Sequence, residues 1–491
     1  MTDYDRLVAF CRDTIAIGQA STLMHWDQET MMPKSAAEQR ATCIGALQSV
    51  IHERQKAPLI GELLARIQPS SLDETQQAQL HQIRRSYDRA VRVPDELGRQ
   101  LAETTSRAYG IWSEARRNND PKLFLPILEE IVTLKREEGH CLANGCKPYE
   151  ALLDEFEEGL TCETLDGIFD PLRESLVALR RKALSGQQLK TRLEMRFDKD
   201  LQLDLARRLA EAFGYSLETG RLDLVEHPFC VGTAADIRIT TRVDEADPFN
   251  CLYSTVHETG HAVYEANIDR KHALTPIGQG ASMGVHESQS RLFENQLARS
   301  REFCVWLFGA MKDRFGDFGI ATSDELYAHV NMVGPGFIRT EADEVQYNLH
   351  VMLRYALEQD LINGQLEARD LESAWNERFA KDFGFEVNRP SNGFLQDVHW
   401  AAGYFGYFPT YTLGNIYAGC LYAEMRLQLP ELDESLRLGD PSPAVNWLRE
   451  SLQQFGSLRQ PLDTIARATG AEVSAAPLVA YLEEKYGELC S

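Results

Sequence analysis

Apolar residues recur along most of this chain at three- and four-residue intervals, the spacing of one face of an α-helix. The longest such stripe consists of Val345, Leu349, Met352, Ala356, Leu357 and Leu361. Asn363 and Gly364 follow it, and residues of these two types commonly end helices. Because the pattern is helical elsewhere too, it predicts a mainly α-helical chain.

One segment alternates between apolar and polar positions instead. Between Ala235 and Val243, polar Asp236, Arg238 and Thr240 alternate with apolar residues and a second threonine. This pattern predicts a half-buried strand in a small β-sheet. A strand edge offers backbone groups to an extended peptide. We therefore expect the polar face or the free edge of this strand to look into a cleft that binds substrate.

The strongest chemical signal is the HExxH sequence at residues 257–261. On a helix, residues four apart share a face, so His257 and His261 present two imidazoles to one cation. Glu258 then projects beside them toward a water molecule. Zinc peptidases hold two metal ligands and a general base in this way on one helical turn. An amphipathic helix with two incidental histidines is the alternative.

A catalytic zinc ion usually has three protein ligands, so a third is expected nearby. Glu287 lies in a second predicted helix after a glycine-rich loop at residues 278–280, and a helix–loop–helix hairpin would return it to the histidines. Glu294, two turns along the same helix, is the rival ligand, and we expect it to be solvated or to support a ligand. His272 comes too late and lacks the glycine-containing spacing of the histidine-type solution.

Six short motifs resemble those of a known family, the thermostable (Taq-type) zinc carboxypeptidases, in which a glutamate is the third ligand of an HExxH site. They stand in the family's order at residues 227–229 (HPF), 236–240 (DIRIT), 257–261 (HETGH), 286–289 (HESQ), 338–343 (IRTEAD) and 393–400 (GFLQDVHW). The stretch from Trp26 to Pro33 also looks like the family's N-terminal signature. The resemblance therefore covers most of the chain.

The resemblance implies a mainly α fold with a small β-sheet beside the active-site cleft, zincin-like around the HExxH helix, and a homodimer. Because the motifs extend from Trp26 to Tyr411, we expect residues 1–491 to form a single metallocarboxypeptidase unit. Its approximate sub-parts are an N-terminal helical lobe, residues 1–195, and a catalytic part, residues 196–491. The catalytic part would hold the HExxH helix, the small sheet and the C-terminal helices.

A carboxypeptidase also needs a cation that holds the terminal carboxylate of its substrate, and the planar fork of arginine suits a carboxylate. Arg339, which precedes the long apolar stripe, is the first candidate, and Arg238 on the predicted strand is the second. Ordinary salt bridges, from Arg339 to Asp343 and from Arg238 to Asp236, are the alternative.

The segment from His399 to Tyr411 is rich in aromatic residues and glycines, which suggests a flexible loop able to close over substrate. Amide hydrolysis passes through an oxyanion that a phenol or imidazolium donor helps to stabilise. The offsets from His399 to Tyr404 and Tyr411 are similar to those in the related thimet-type oligopeptidases. By that resemblance Tyr411 is the oxyanion donor, assisted by His399 and Tyr404. A packed aromatic core segment is the alternative.

These assignments predict a mechanism. Zn²⁺ on the three predicted ligands lowers the pKa of a water molecule, and Glu258 takes its proton and passes it to the leaving amine. Co²⁺ or Mn²⁺ can replace Zn²⁺ at a glutamate-type site. Many glutamate-type relatives carry an aspartate four residues after the third ligand, where this chain has Arg291. Asp343 and Glu265 are the open candidates to support the histidines.

Composition narrows the partners and the compartment. The chain has 51 basic and 74 acidic side chains, a formal net charge of −23, which disfavours nucleic acid and anionic membranes as partners. No apolar run is long enough to span a bilayer, and the first residues lack the features of a secretory signal. Ten cysteines without a CxxC pair fit reduced thiols, so we expect a cytoplasmic protein.

Together these observations predict a metal-dependent carboxypeptidase of broad specificity that removes single residues from peptides with a free C-terminal carboxylate. A zinc oligopeptidase that cuts internal bonds is the first alternative, because it uses the same chemistry without the terminal carboxylate. A non-enzymatic peptide-binding protein is the second, and the intact metal ligands speak against it. Cleavage of C-terminally amidated peptides distinguishes the oligopeptidase from the carboxypeptidase. Metal analysis of the purified chain distinguishes both enzymes from the binding protein.

Overall fold

Helices make up most of the structure, a computed structural model that describes residues 1–186, 193–233 and 235–490. Within these residues lie twenty α-helices, numbered in chain order: α1 Asp3–Thr30, α2 Ala37–Gln55, α3 Pro58–Arg66, α4 Glu74–Arg92, α5 Asp95–Asn118, α6 Pro121–Leu142, α7 Pro148–Leu153, α8 Cys162–Gly186, α9 Lys199–Ala212, α10 Pro248–Asn267, α11 Met283–Arg291, α12 Arg301–Phe315, α13 Ser323–Val330, α14 Glu344–Ile362, α15 Leu371–Phe383, α16 Pro409–Gln428, α17 Leu432–Arg437, α18 Ser442–Ser451, α19 Pro461–Thr469 and α20 Ala476–Leu489. A π-helix, Leu292–Ala298, directly follows α11. None of the described helices combines the length and apolar character that crossing a bilayer requires.

Three short strands form a small sheet: β1 Gly220–Leu224, β2 Cys230–Thr233 and β3 Asp236–Thr241. The central strand, β3, runs parallel to β1 and antiparallel to β2, with Ile237 opposite both Gly220 and Gly232. The alternating sequence segment is β3, as predicted. Its polar face is less polar than the sequence suggests, because Thr240 is buried and its hydroxyl bonds the backbone of Phe229. The mainly α fold with a small sheet is thus confirmed.

The described residues fall into two compact units, each assembled from three stretches of chain. The first unit comprises the described parts of Met1–Val91, Lys190–Val330 and Cys420–Val473. The second comprises the described parts of Arg92–Leu189, Asn331–Gly419 and Ser474–Ser491. The division of the sequence into a lobe of residues 1–195 and a catalytic part of residues 196–491 stays a prediction.

Helix α10 is central to the first unit, where it packs against α9, α11 and the sheet. Asp247 caps its start by accepting a hydrogen bond from the amide of Phe249, and a proline in the first turn has no amide hydrogen to satisfy. Hydroxyl groups join the sheet to this helix: Thr255 donates to Thr241 of β3 at 3.0 Å, and Thr241 donates to the carbonyl of Cys251.

Helix α14 is central to the second unit, where it packs against α6, α8 and α15. It is the helix that the long apolar stripe predicts, and it ends at Ile362 with Asn363 as its C-cap. Asp343 caps its start by accepting hydrogen bonds from two backbone amides. Because neighbours surround the helix, charged residues off the stripe are buried as well, including Arg354 and Glu358.

Candidate functional site

Helix α10 presents the HExxH residues on two successive turns. The side chains of His257 and His261 each keep 18% of their surface exposed, so a cation can reach both imidazoles. The side chain of Glu258 is buried. The local helical geometry therefore places these residues as the sequence predicts.

Gly260 allows α11 to approach α10 closely. A Cβ atom at this position would lie 2.6 Å from the carbonyl oxygen of Gln289 and 2.6 Å from the Cα of Ser290, which real side chains do not tolerate. Ser282 caps α11 by accepting a hydrogen bond from the amide of Val285. The close contact between the two helix backbones brings Glu287 next to the two histidines.

The three predicted ligands converge. The Oε2 atom of Glu287 lies 3.7 Å from Nε2 of His257 and 3.4 Å from Nε2 of His261. Ligand atoms about 2.1 Å from a tetrahedrally coordinated ion lie about 3.4 Å from one another. The two imidazole nitrogens and one carboxylate oxygen therefore have the chemistry and spacing to hold one divalent cation.

The ring of His257 is oriented by Glu294. Its Nδ1 atom lies 3.0 Å from Oε2 of Glu294. A carboxylate only accepts hydrogen bonds, so the Nδ1 atom carries the proton and the lone pair of Nε2 points toward the cation position. Glu294 thus holds the ring of His257, and its role as a support for a metal ligand, one of the two expected from the sequence, stays a prediction.

His261 is oriented by a longer chain of hydrogen bonds. Its Nδ1 atom lies 2.6 Å from Nδ1 of His286, whose Nε2 atom lies 3.0 Å from Oε1 of Glu265. Because Glu265 accepts the proton of His286 Nε2, the Nδ1 atom of His286 is an acceptor and His261 donates to it. The Nε2 lone pair of His261 again points toward the cation position.

The role of His286 is not predicted by the sequence analysis, which leaves Glu265 open as a support. The spacing of Glu265, four residues after His261, is the one sequence signal for it, because it places both on one face of α10. Asp343, the other open candidate, caps α14.

Two arginines hold the carboxylates of this cluster. Arg291 donates to Oε1 of Glu287 at 2.7 Å, and Arg299 donates to Oε1 of Glu294 at 3.1 Å. Burial alone would raise the pKa of Glu294, but His257 and the two arginines outweigh it and hold that pKa well below its usual range. The π-helix contains Glu294, and such widened turns occur often at functional sites.

Glu258 differs from both other glutamates. Burial raises its pKa to about 7, although neighbouring His257 acts in the opposite direction. A cation at the three ligand atoms would lower the pKa again by favouring the carboxylate. None of the described residues hydrogen bonds its carboxylate, so the structure leaves both oxygens available to a water molecule.

Arg238 forms the salt bridge that the sequence analysis names as the alternative to substrate binding. Its Nε and Nη2 atoms donate to the two oxygens of Asp236, both at 2.8 Å. The guanidinium also lies 4.2 Å from the ring centroid of Trp26. The side chain keeps 19% of its surface exposed, so part of the guanidinium remains accessible.

Arg339 is paired with Asp397 of the second unit, and Asp343 is not its partner. Its Nε and Nη2 atoms donate to Oδ1 of Asp397 at 3.0 and 2.9 Å, and its Nη1 atom donates to the Tyr347 hydroxyl at 3.0 Å. Arg354 donates to the other oxygen of Asp397 at 2.7 Å. Burial alone would raise the pKa of Asp397, but the two guanidiniums hold it well below its usual range.

The predicted oxyanion residues also lie in the second unit. The Nε2 atom of His399 is 3.1 Å from the hydroxyl of Tyr411, and the guanidinium of Arg339 lies 4.8 Å from the ring centroid of Tyr411. Burial lowers the pKa of His399 to about 4, so its imidazole is neutral at physiological pH. Tyr404 is half exposed and packs edge-on against Phe156.

Comparison with known proteins decides the family. The sequence profile of the carboxypeptidase Taq (M32) metallopeptidases matches residues 6–486, nearly the whole chain. The chain belongs to the M32 family. Among curated M32 relatives, thermostable carboxypeptidase 1 of Thermus thermophilus is 39% identical over 99% of this chain and 98% of that protein. Carboxypeptidase 1 of Bacillus subtilis is 35% identical over 96% of this chain and 95% of that protein.

Solved structures agree with the M32 assignment. The M32 carboxypeptidase of Deinococcus radiodurans R1 matches with a TM-score of 0.96 and 36% identity, covering 99% of both chains. Metallocarboxypeptidase 1 of Trypanosoma cruzi matches with a TM-score of 0.96 and 35% identity over the same shares. The resemblance and the metallocarboxypeptidase activity are thereby confirmed. M32 membership implies a divalent metal ion and peptide substrates.

Proposed function

We propose that this M32 carboxypeptidase uses Zn²⁺, held by His257, His261 and Glu287. The spacing of the three ligand atoms supports the proposal, and two imidazoles with one carboxylate are a usual donor set of catalytic zinc. Zinc, when bound, lowers the pKa of a water molecule and polarises the peptide carbonyl. Co²⁺ or Mn²⁺ suits the same donors. Metal analysis of protein purified without added metal tests the choice, with zinc expected at about one equivalent per chain.

Glu258 moves the proton in this proposal. Its buried carboxylate has no hydrogen-bond partner among the described residues, so a water molecule can donate to it directly. A carboxylate oxygen of Glu258 takes the proton of the attacking water and then delivers it to the nitrogen of the leaving amine. Burial favours the protonated form of Glu258 and a bound cation favours its carboxylate, and this balance suits a group that must both accept and release a proton.

Arg339 binds the terminal carboxylate of the peptide, and a surplus of buried positive charge supports this role. Arg339 and Arg354 are both buried, and Asp397 is the one carboxylate that pairs with either of them in the described residues. The two guanidiniums share one carboxylate at salt-bridge distance, and Glu358 acts on Arg354 only over a longer range, so positive charge predominates around Arg339, which is costly in a buried position. An anionic substrate group compensates for that charge, and burial strengthens the attraction.

Tyr411 donates a hydrogen bond to the oxyanion, and His399 orients the hydroxyl proton of Tyr411. Because His399 is neutral, its Nε2 atom and the Tyr411 hydroxyl share one hydrogen bond. With the proton on Nε2, the phenol oxygen accepts and its own hydrogen points to the oxyanion. Tyr404, half exposed, and Arg238, partly accessible on β3, are proposed as further contacts to the substrate.

Parallel assays on a free-acid peptide and its C-terminal amide test Arg339. Arg339→Ala should lower kcat/KM on the free acid by roughly a hundredfold to a thousandfold, the cost of losing a buried charge-paired contact. The fold should persist, because Arg354 still pairs with Asp397 and the local charges then balance. Arg238→Ala tests the rival arginine, and a loss specific to the free acid in that variant alone would transfer the role to Arg238. An equal loss on acid and amide would contradict the role of Arg339.

Two further parts of the proposal do not depend on the geometry of the site: the oligomeric state rests on the family resemblance, and the compartment rests on the composition of the sequence. We infer that the enzyme works as a homodimer in the cytoplasm. Light scattering coupled to gel filtration measures the mass in solution, and twice the chain mass of 55.5 kDa is expected. Fractionation of the source cells tests the compartment.

A further inference from the structure

Glu358 is a buried carboxylate that the proposed mechanism does not use. It lies on α14 with no exposed surface. Its Oε1 atom accepts a hydrogen bond from Nε1 of Trp400 at 2.8 Å. Its Oε2 atom accepts from the amide of Gly406 at 3.0 Å and from the hydroxyl of Tyr149 at 2.8 Å. All three donors are neutral, so the carboxylate forms no ion pair among the described residues.

A fully buried carboxylate without a cation at salt-bridge distance lowers the stability of the fold. Burial raises the pKa of Glu358 to about 7, although its three hydrogen bonds and the charge of Arg354, one turn earlier on α14, act in the opposite direction. An amide or an apolar residue would fill the same volume without the desolvation cost of a charge. The carboxylate does one thing that those side chains do not, because both of its oxygens accept hydrogen bonds.

Two of the three donors belong to the segment of residues 399–411. Trp400 is adjacent to His399, and Gly406 lies between Tyr404 and Tyr411. Gly406 has a φ of +86°, and a Cβ atom there would lie 2.7 Å from the backbone nitrogen of Leu153 in α7. This glycine serves a tight backbone contact, so at this position the sequence-based expectation of a flexible, closing loop does not match the structure.

We propose that Glu358 is a positioning residue for peptide hydrolysis, which fixes the segment of residues 399–411 at Trp400 and at Gly406. The two bonds hold the chain on either side of the bend between His399 and Tyr411, and thereby preserve the 3.1 Å contact between these two side chains. The inference rests on the proposed role of Tyr411 in oxyanion binding. A purely structural carboxylate would stabilise the fold without affecting turnover.

Glu358→Gln tests the inference against Tyr149→Phe as a matched control. Glutamine keeps the shape but has one accepting oxygen, so either Trp400 or Gly406 loses its partner. Tyr149→Phe removes a donor from the same carboxylate and leaves both bonds to the segment intact. We expect Glu358→Gln to lower kcat by about tenfold to a hundredfold with KM changed less than about threefold, because a small misplacement of reacting groups has effects of this size. Tyr149→Phe should keep kcat within about twofold.

Hydrogen exchange of the peptide that contains residue 406 provides a readout independent of activity. Loss of either bond loosens the segment, so this peptide should exchange faster in Glu358→Gln than in Tyr149→Phe. Equal kcat values in the two variants, at the same folded fraction, would overturn the inference. If Glu358→Gln does not fold, Trp400→Phe replaces it, since that variant leaves the carboxylate two donors. A normal kcat for Trp400→Phe would likewise overturn the inference.

Tyr411→Phe separates this inference from the proposed function. A large loss of kcat in Tyr411→Phe together with a normal kcat in Glu358→Gln would overturn only the inference. A normal kcat in Tyr411→Phe would remove the role of Tyr411, and the positioning role of Glu358 with it. A large loss in both variants, with Tyr149→Phe near normal, is the expected result.

Discussion

Three glutamates surround the proposed metal position, and their partners give each a different task. Glu287 directs one oxygen toward both imidazoles. Glu294 accepts from the Nδ1 atom of His257 and from Arg299, so it orients a ligand. Glu258 has no hydrogen-bond partner in the described part of the chain, and burial raises its pKa to about 7. In the proposed mechanism, glutamate therefore acts as ligand, support or base according to the contacts of each residue.

Conservative replacements should separate two of these tasks. Glu258→Gln should retain the metal and lose about two to four orders of magnitude in kcat, because the proton acceptor is gone. Glu294→Gln should weaken metal binding by about tenfold to a hundredfold, the usual effect of losing a support to a ligand. Excess metal should then restore much of its activity. The measurements are metal affinity by competition with a chelator and kcat at saturating metal.

The two variants serve as controls for each other, because each replaces a buried glutamate near His257 by glutamine. Weakened metal binding in Glu258→Gln, or a kcat in Glu294→Gln that stays low at saturating metal, would show that the tasks are assigned to the wrong residues.

At the scale of elements, the metal centre depends on how closely α10 and α11 approach. The residue that permits this approach is Gly260, which sits between the general base and the second histidine in the HExxH sequence. Backbone atoms of α11 occupy the space that a side chain would need. The second of the two variable positions in HExxH, residue 260, therefore requires glycine in this protein.

Gly260→Ala should push α11 away from α10 and weaken metal binding. The methyl group would meet backbone atoms at 2.6 Å, so the helices must move apart and carry Glu287 with them. Gly309→Ala in α12 is the matched control, because nothing lies within 4 Å of its added methyl group. The control should gain about 0.5–1 kcal/mol in stability from better helix propensity. Thermal unfolding and metal affinity are compared, and normal metal affinity in Gly260→Ala would contradict the packing argument.

What the sequence predicts correctly depends on the range of the interaction. The α14 stripe and the HExxH pair can be recognised because each involves residues a few positions apart on one helix. The pairing of Arg339 with Asp397 joins separate elements, and no local spacing encodes it. Asp343, the partner expected from the sequence four residues after Arg339, caps α14 instead. For the same reason the part played by His286 becomes visible only when α10 and α11 are packed together.

The whole molecule carries a formal net charge of −23, which acts on substrates before any contact forms. A negative surface potential attracts cationic peptides and repels anionic ones, and salt screens both effects. The local positive charge around Arg339 is buried and therefore screened much less. If Arg339 binds the terminal carboxylate as proposed, encounter with the protein and recognition of that carboxylate depend on charges of opposite sign.

Salt should therefore change kcat/KM in opposite directions for two peptides. Both peptides share the C-terminal residues at the cut and differ by lysines or glutamates at the far end. From about 10 mM to about 300 mM salt, kcat/KM should fall severalfold for the lysine peptide and rise for the glutamate peptide. The rates are read from initial release of the C-terminal residue. A response of the same sign for both peptides would contradict the electrostatic argument.

All the proposed ligands come from α10 and α11, which form a single hairpin within the first unit. A cation there would cross-link a short loop, and the chain entropy that a cross-link removes grows only with the logarithm of loop length. The bound ion therefore stabilises the α10–α11 hairpin much more than it stabilises the rest of the fold. Loss of the ion should therefore loosen the contact between α10 and α11 before it affects the rest of the fold.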